Sequence, residues 1–106
     1  MNKLSTVLWA VFLIIYFAAL SSAHTPLMAC FDNGDGTITC NGGFSDGSSA
    51  AGVVMRVVDR QKEVLFEGIM DEDSEYTFEK PRGVFTVIFD AGPGHLVKEK
   101  SNNISE

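Results

Sequence analysis

Residues 27–40 read Leu-Met-Ala-Cys-Phe-Asp-Asn-Gly-Asp-Gly-Thr-Ile-Thr-Cys, and this stretch decides the fold class. Two β-prone runs flank a segment dense in Asp, Asn and Gly, which predicts a β-hairpin. Cys30 and Cys40 are symmetric about Asp35, so the hairpin places them opposite each other at a separation that suits a disulfide. The alternative is a reduced pair, whose thiols would be candidate ligands for a soft metal ion.

The rest of the chain repeats this pattern of short apolar runs separated by Gly, Asp, Asn and Pro. It contains no amphipathic segment of helical length. Val84 to Phe89 is the most apolar run and is predicted to lie in the centre of a sheet. About seven strands with turns at close intervals predict an all-β fold, an antiparallel β-sandwich of transthyretin-like or immunoglobulin-like type. The predicted strands are Leu27–Phe31, Thr37–Cys40, Val53–Asp59, Glu63–Glu67, Glu75–Glu79, Val84–Phe89 and His95–Lys98.

The beginning of the chain has the layout of a secretory signal peptide, with a short positive region, an apolar run from Val7 to Leu20, and small residues up to Ala23. The apolar run is shorter than the roughly 20 residues of a membrane-spanning helix. Cleavage between Ala23 and His24 predicts a periplasmic or secreted protein that touches the membrane only through its signal; an uncleaved anchor is the alternative. The predicted divisions are a signal peptide (1–23), a β-sandwich domain (24–98) and a flexible C-terminal tail (99–106).

The charge balance limits the partners. The chain has 8 Lys and Arg against 14 Asp and Glu. Loss of Lys3 with the signal leaves seven basic residues and a net charge of −7. This balance argues against nucleic acid and against an anionic membrane surface, which favour basic proteins. It is compatible with attraction of cations, and equally with simple solubility.

Two acidic segments and the absence of catalytic motifs bear on function. The segment from Asp32 to Thr37 is similar to a calcium loop but lacks the distal glutamate, so a hairpin turn is preferred. The run Asp71-Glu72-Asp73 is interpreted as a solvated loop. The sequence contains no nucleophile elbow and no phosphate-binding glycine loop, and we expect no enzymatic activity.

The two histidines are the candidate metal ligands. After cleavage, His24 offers an α-amine and an imidazole nitrogen that can chelate one ion. His95 follows a Gly-Pro-Gly loop that presents it at a sheet edge. Three nitrogen donors suit Ni(II), Co(II), Cu(II) or Zn(II), and the Met28 thioether is a further candidate, especially for Cu(I). Two unrelated surface histidines would give the same pattern.

Three stretches, residues 44–59, 64–68 and 84–95, resemble the transthyretin-like, carboxypeptidase-regulatory-like domains of bacterial exported proteins. In particular they resemble periplasmic domains of nickel and cobalt uptake systems, which carry the Asp-Ala-Gly-Pro-Gly-His segment found here at 90–95. The resemblance implies a metal site formed by the His24 amine and imidazole, with His95 as a third donor. This chain departs from that pattern in its Cys30–Cys40 pair and in having no membrane helix after residue 98.

These observations predict a small exported metal-binding or metal-delivery domain for nickel or cobalt, with copper less favoured. Its expected partner is a membrane metal transporter or another periplasmic protein. The alternative is a non-catalytic structural or protein-interaction module without a metal. The sequence leaves the identity of the metal, the partner and the oligomeric state open.

Overall fold

The chain folds as a two-layer β-sandwich, as predicted. The structure is a computed structural model and describes residues 24–106, so the predicted signal peptide lies outside the described residues. All seven predicted strands are present and confirm the assignment of the apolar runs. The strands are β1 (Pro26–Asp32), β2 (Thr37–Phe44), β3 (Val54–Asp59), β4 (Val64–Ile69), β5 (Glu75–Glu79), β6 (Phe85–Asp90) and β7 (Leu96–Lys100).

Two antiparallel sheets face each other across an apolar core. One sheet has the order β1-β2-β5 and the other has the order β4-β3-β6-β7. Alternate residues of β6 are buried, and this strand lies inside its sheet between β3 and β7, which confirms the prediction for the most apolar run. The core contains mostly aliphatic, aromatic and sulfur-containing side chains: Ile38, Cys40, Ala50, Met55, Val57, Met70, Phe78, Phe85, Val87 and Phe89.

The predicted hairpin and its disulfide are both present. Strands β1 and β2 pair antiparallel in a register centred on Asp35, with Cys30 opposite Cys40. The two cysteines are bonded, and their Cα atoms lie 4.0 Å apart. This short separation is typical of a pair that exchanges no backbone hydrogen bonds, where the side chains approach most closely.

Strand β2 extends further than the sequence predicts. The predicted strand ends at Cys40, yet β2 continues through Gly42 and Gly43 to Phe44. Gly42 faces the core, where a Cβ atom would lie 2.6 Å from Met70 Sδ and from a ring carbon of Phe89. Glycine at this position is therefore explained by close packing between the sheets rather than by a turn.

The C-terminal residues belong to the sandwich, which corrects the predicted division at residue 98. Strand β7 runs to Lys100 and is followed by a short 3₁₀ helix, Ser101–Asn103. Ile104 then packs against the core, and the carbonyl of Ser105 accepts a hydrogen bond from the Asp32 backbone N–H at 3.1 Å. Ile104 is thus partly buried although it lies in the predicted tail, and the hydrogen bond of Ser105 attaches the segment to β1.

The strand directions bring four segments together at one end of the sandwich, which we call the His24 end. They are residues 24–25 and the loops 45–53, 70–74 and 91–95. Backbone hydrogen bonds join two of these loops, with the Met70 N–H donating to Val53 and the Gly52 N–H donating to Met70. No helix in residues 24–106 is long and apolar enough to cross a membrane.

Candidate metal-binding site at the His24 end

His24 is held beside the loop that follows β2. The Thr25 N–H donates to Ser45 Oγ at 3.0 Å, and the Ser45 N–H donates to the Thr25 carbonyl at 2.9 Å. These bonds continue the β1–β2 pairing beyond Pro26, where β1 begins, and Phe44, where β2 ends. They bring His24 Nδ1 to 2.7 Å from Asp46 Oδ2. The His24 side chain is 59% exposed, whereas that of Asp46 is 25% exposed, so the pair is accessible from solvent on the histidine side.

Asp46 is oriented by its own loop. Its Oδ1 accepts hydrogen bonds from the backbone N–H of Ser48 at 3.0 Å and from the Ser48 hydroxyl at 2.7 Å. These two bonds, with a smaller contribution from the charge of His24, hold the pKa of the Asp46 carboxyl below its usual value. The carboxylate is consequently ionised at neutral pH, with Oδ1 occupied and Oδ2 directed at the imidazole.

His95 lies at the same end of the sandwich, on the β6–β7 loop. The loop is closed by hydrogen bonds from the Ala91 N–H to the His95 carbonyl at 3.0 Å and from the His95 N–H to the Gly92 carbonyl at 2.9 Å. Asp90 anchors its start, accepting from the Gly92 N–H at 3.0 Å and from Arg56 Nη2 at 2.9 Å. The His95 ring is exposed, and its Nδ1 lies 3.1 Å from the Pro93 carbonyl, to which it can only donate. Its Nε2 therefore carries the free lone pair that can coordinate a metal ion.

The side chains do not complete a metal site by themselves. Within residues 24–106 there is no group of three or more His, Cys, Asp or Glu residues that could hold a metal ion. The structure thus brings His24 to Asp46 but does not add His95 to that pair. The remaining donor in the prediction is the α-amine of His24, and this group exists only once the bond to Ala23 has been cut.

The sulfur-containing candidates lie elsewhere. Cys30 and Cys40 are joined to each other and leave no thiol. Met28 alternates along β1 with the exposed Leu27 and Ala29, and it packs against the core between the sheets. Its thioether is directed away from the solvent face of β1.

Asp46 is the residue that sequence reasoning missed. The sequence already contained the signal, because the predicted hairpin is symmetric about Asp35. Continuing that register beyond Pro26 and Phe44, which pair in the structure, places His24 opposite Asp46. The glycines and serines around Asp46 concealed this, since they indicated a loop without a defined partner.

The two other acidic segments form turns. In the β1–β2 turn, Asp32 Oδ1 accepts from the Gly34 N–H at 2.9 Å, and Asp35 Oδ1 accepts from the Thr37 N–H and hydroxyl. In the β4–β5 loop, Asp71 Oδ1 accepts from the backbone N–H groups of Asp73 and Glu75. These carboxylates orient turns, in agreement with the interpretation as a hairpin turn and a solvated loop.

Comparisons with protein-family models, with curated proteins and with solved structures found no significant match to this chain. The resemblance to nickel and cobalt uptake domains therefore stays a prediction, and the functional argument depends on the geometry of the site.

Proposed function

We propose that this chain is an exported metal-binding or metal-delivery protein whose site is built on His24 and Asp46. The observation that carries the proposal is the 2.7 Å separation of His24 Nδ1 and Asp46 Oδ2 at the predicted start of the mature chain. Two donors bound to one ion at right angles, as in square-planar or octahedral coordination, with bonds of about 2.0–2.1 Å, lie about 2.9 Å apart. The two atoms are thus already close to the spacing of neighbouring ligands.

The donor set follows from the chemistry of a free N-terminus. The α-amine and Nδ1 of His24 close a chelate ring, and Asp46 Oδ2 supplies an anionic oxygen beside it. A metal ion replaces the proton that Nδ1 otherwise donates to the carboxylate. Two nitrogens and one oxygen suit Ni(II), Co(II), Cu(II) and Zn(II). The preference for nickel or cobalt comes from the resemblance of residues 90–95.

The local charge supports the same proposal. The four segments of the His24 end contain no Lys or Arg, and their acidic residues are Asp46, Asp71, Glu72 and Asp73. A surface of one sign raises the local concentration of oppositely charged ions. The basic residues nearest in sequence to these segments are Arg56 and Lys98, each three positions away, and Arg56 is paired with Asp90 at 2.9 Å. Open coordination positions and an exposed imidazole would allow transfer of the ion to a transporter or another periplasmic protein.

The decisive test compares two proteins that differ by one residue at the N-terminus. One begins at His24, and the other retains Ala23 before it. Calorimetric titration with Ni(II) should give one bound ion for the first protein and a large loss of affinity for the second, because the amine has become an amide. Affinity of the first protein should also fall with decreasing pH, because protons compete with the metal ion for nitrogen donors. Equal affinities for the two proteins would contradict the proposal.

A second candidate function is a protein-interaction module, and strand β1 favours it. β1 is an edge strand. The Asp32 N–H points away from β2, as its hydrogen bond to the Ser105 carbonyl shows. By alternation, the N–H groups of Met28 and Cys30 face the same side, where β7 lies near β1, and no backbone hydrogen bond within residues 24–106 uses them. The adjoining outer face carries Leu27 and Phe31, which are 52% and 47% exposed. An exposed apolar face of this kind can bind a partner protein.

Substitutions separate the two functions. Under the interaction hypothesis, L27K with F31K abolishes co-purification of a specific exported partner, while H24A has no effect on it. Under the metal hypothesis, H24A abolishes ion binding, whereas the double lysine variant still binds the ion with the affinity of the unmodified protein.

A further inference from the structure

We infer that the His24 site takes only divalent ions of borderline softness and holds copper as Cu(II), to the exclusion of Cu(I). This inference rests on the proposed function and adds the class of ion to it. It follows from where the sulfur atoms of the chain lie, and that placement is independent of the His24–Asp46 contact.

Every sulfur atom in residues 24–106 belongs either to the disulfide or to a methionine that is buried in the core or packs against it. Cys30 and Cys40 form a disulfide, which removes both thiolates. Met55 and Met70 are fully buried, with exposures of 0% and 1%. Met28 is the sulfur-containing residue nearest in sequence to His24, and it packs against the core from the inner side of β1.

Soft cations need the donors that this arrangement removes. Cu(I) is selected by thiolate and thioether ligands, whereas imidazole, amine and carboxylate groups suit divalent ions. Two imidazoles could also hold Cu(I), but His24, Asp46 and His95 do not form a three-residue ligand group among the described residues. The carboxylate of Asp46 adds a hard anionic oxygen, which stabilises the higher charge of Cu(II). A copper ion in this site is therefore harder to reduce than the aqueous ion.

The experiment uses the oxidised protein that begins at His24 and measures both copper states. Cu(II) affinity is measured by competition with a weak chelator, and Cu(I) affinity by competition with bicinchoninate under argon. Ascorbate keeps the copper reduced and leaves the Cys30–Cys40 bond intact. We expect Cu(II) to bind at least roughly a hundredfold more tightly than Cu(I). We also expect the electron paramagnetic resonance spectrum of the Cu(II) form to show coupling to nitrogen, which is lost in H24A.

The outcomes distinguish this inference from the proposed function. Cu(I) binding as tight as Cu(II) binding, abolished by M28L, would overturn the inference while leaving a metal-binding protein. Loss of this Cu(I) binding in H24A instead of M28L would also overturn it, because imidazole would then hold the soft ion. Absence of binding for both copper states and for Ni(II) would refute the proposed function itself.

Discussion

His24 and Asp46 lie opposite each other two positions beyond Pro26 and Phe44, the paired ends of β1 and β2, with Nδ1 2.7 Å from Oδ2. The contact depends on the hairpin register, which the disulfide pins at Cys30 and Cys40, and on the two Thr25–Ser45 hydrogen bonds that extend it. Ser48 fixes the other oxygen of the carboxylate. Under the proposed function, the His24 imidazole and the Asp46 carboxylate need little rearrangement to bind an ion, since the two groups are already adjacent.

Replacement of Asp46 tests its role as a ligand. D46N keeps the size of the side chain and its acceptor for the Ser48 groups but removes the anionic oxygen. We expect Ni(II) affinity to fall by more than about tenfold, since even indirect partners of metal ligands have effects of that size. Calorimetric titration of the protein that begins at His24 measures the change.

D73N is the matched control for D46N. Asp73 lies at the same end of the sandwich and carries the same charge, and its hydrogen bond to Asp71 Oδ1 is made by its backbone N–H rather than by its carboxylate. A similar loss of affinity in D73N and D46N would show that general charge, rather than coordination by Asp46, attracts the ion.

The pair formed by Arg56 and Asp90 predicts how stability depends on pH. The Arg56 hydrogen bond, followed by that of the Gly92 N–H, lowers the pKa of the Asp90 carboxyl below its usual value of 3.8. A carboxyl with a lowered pKa in the folded state contributes stability above pH 3.8, and the contribution is lost as the pH falls through the folded-state pKa. D90N should therefore have a lower Tm than the unmodified protein at pH 7.

Thermal denaturation of both proteins between pH 7 and strongly acidic pH checks this prediction. The difference in Tm should shrink as the pH falls from 3.8 through the lower folded-state pKa of Asp90, at which the carboxyl becomes protonated in the folded protein. A difference that stays constant over the whole range would mean that the charge of Asp90 is irrelevant and that the substitution acts through packing.

Two adjacent glycines of β2 should respond differently to alanine. A Cβ atom at Gly42 would lie 2.6 Å from Met70 Sδ and from a Phe89 ring carbon, inside the core. At Gly43 the nearest atom is the Ser48 carbonyl oxygen at 4.0 Å. We expect G42A to lower the free energy of unfolding by about 1–3 kcal/mol, as overpacking does, and G43A to leave it nearly unchanged. Urea denaturation measures both, and equal effects would contradict the assignment of Gly42 to the core face.

Removal of the disulfide should destabilise the fold without abolishing the sheet order. Cys30 and Cys40 are separated by ten positions in the sequence, and closing a loop of that size stabilises a protein by about 2–3 kcal/mol. The double variant C30A with C40A is compared with the oxidised protein by urea denaturation. Since Cys40 is fully buried, part of the loss comes from its side-chain volume. The reduced protein with both cysteines present separates the two contributions.

The sequence alone determined the fold class and most strand positions, because short apolar runs alternate with polar residues and are separated by residues that favour turns. It also determined the Cys30–Cys40 pairing, since two cysteines placed symmetrically about a turn can be bridged by local geometry. The ends of β2 at Phe44 and of β7 at Lys100 could not be predicted from the local sequence. Both depend on contacts with distant residues, such as Phe89 against Gly42 and Phe44, and Asp32 against Ser105.

Only the tertiary structure decided which chemistry surrounds the histidines. The local sequence pattern indicated His24, His95 and Met28 as candidate metal ligands, but it did not predict which face of β1 would be buried. Packing of the two sheets turned Met28 toward the core and exposed Leu27. The β1–β2 pairing brought Asp46 to His24 across 22 positions of sequence, and the β6–β7 turn held His95 apart from that pair. Side-chain types are fixed by sequence, whereas their proximity depends on the register and layering of strands far apart in the chain.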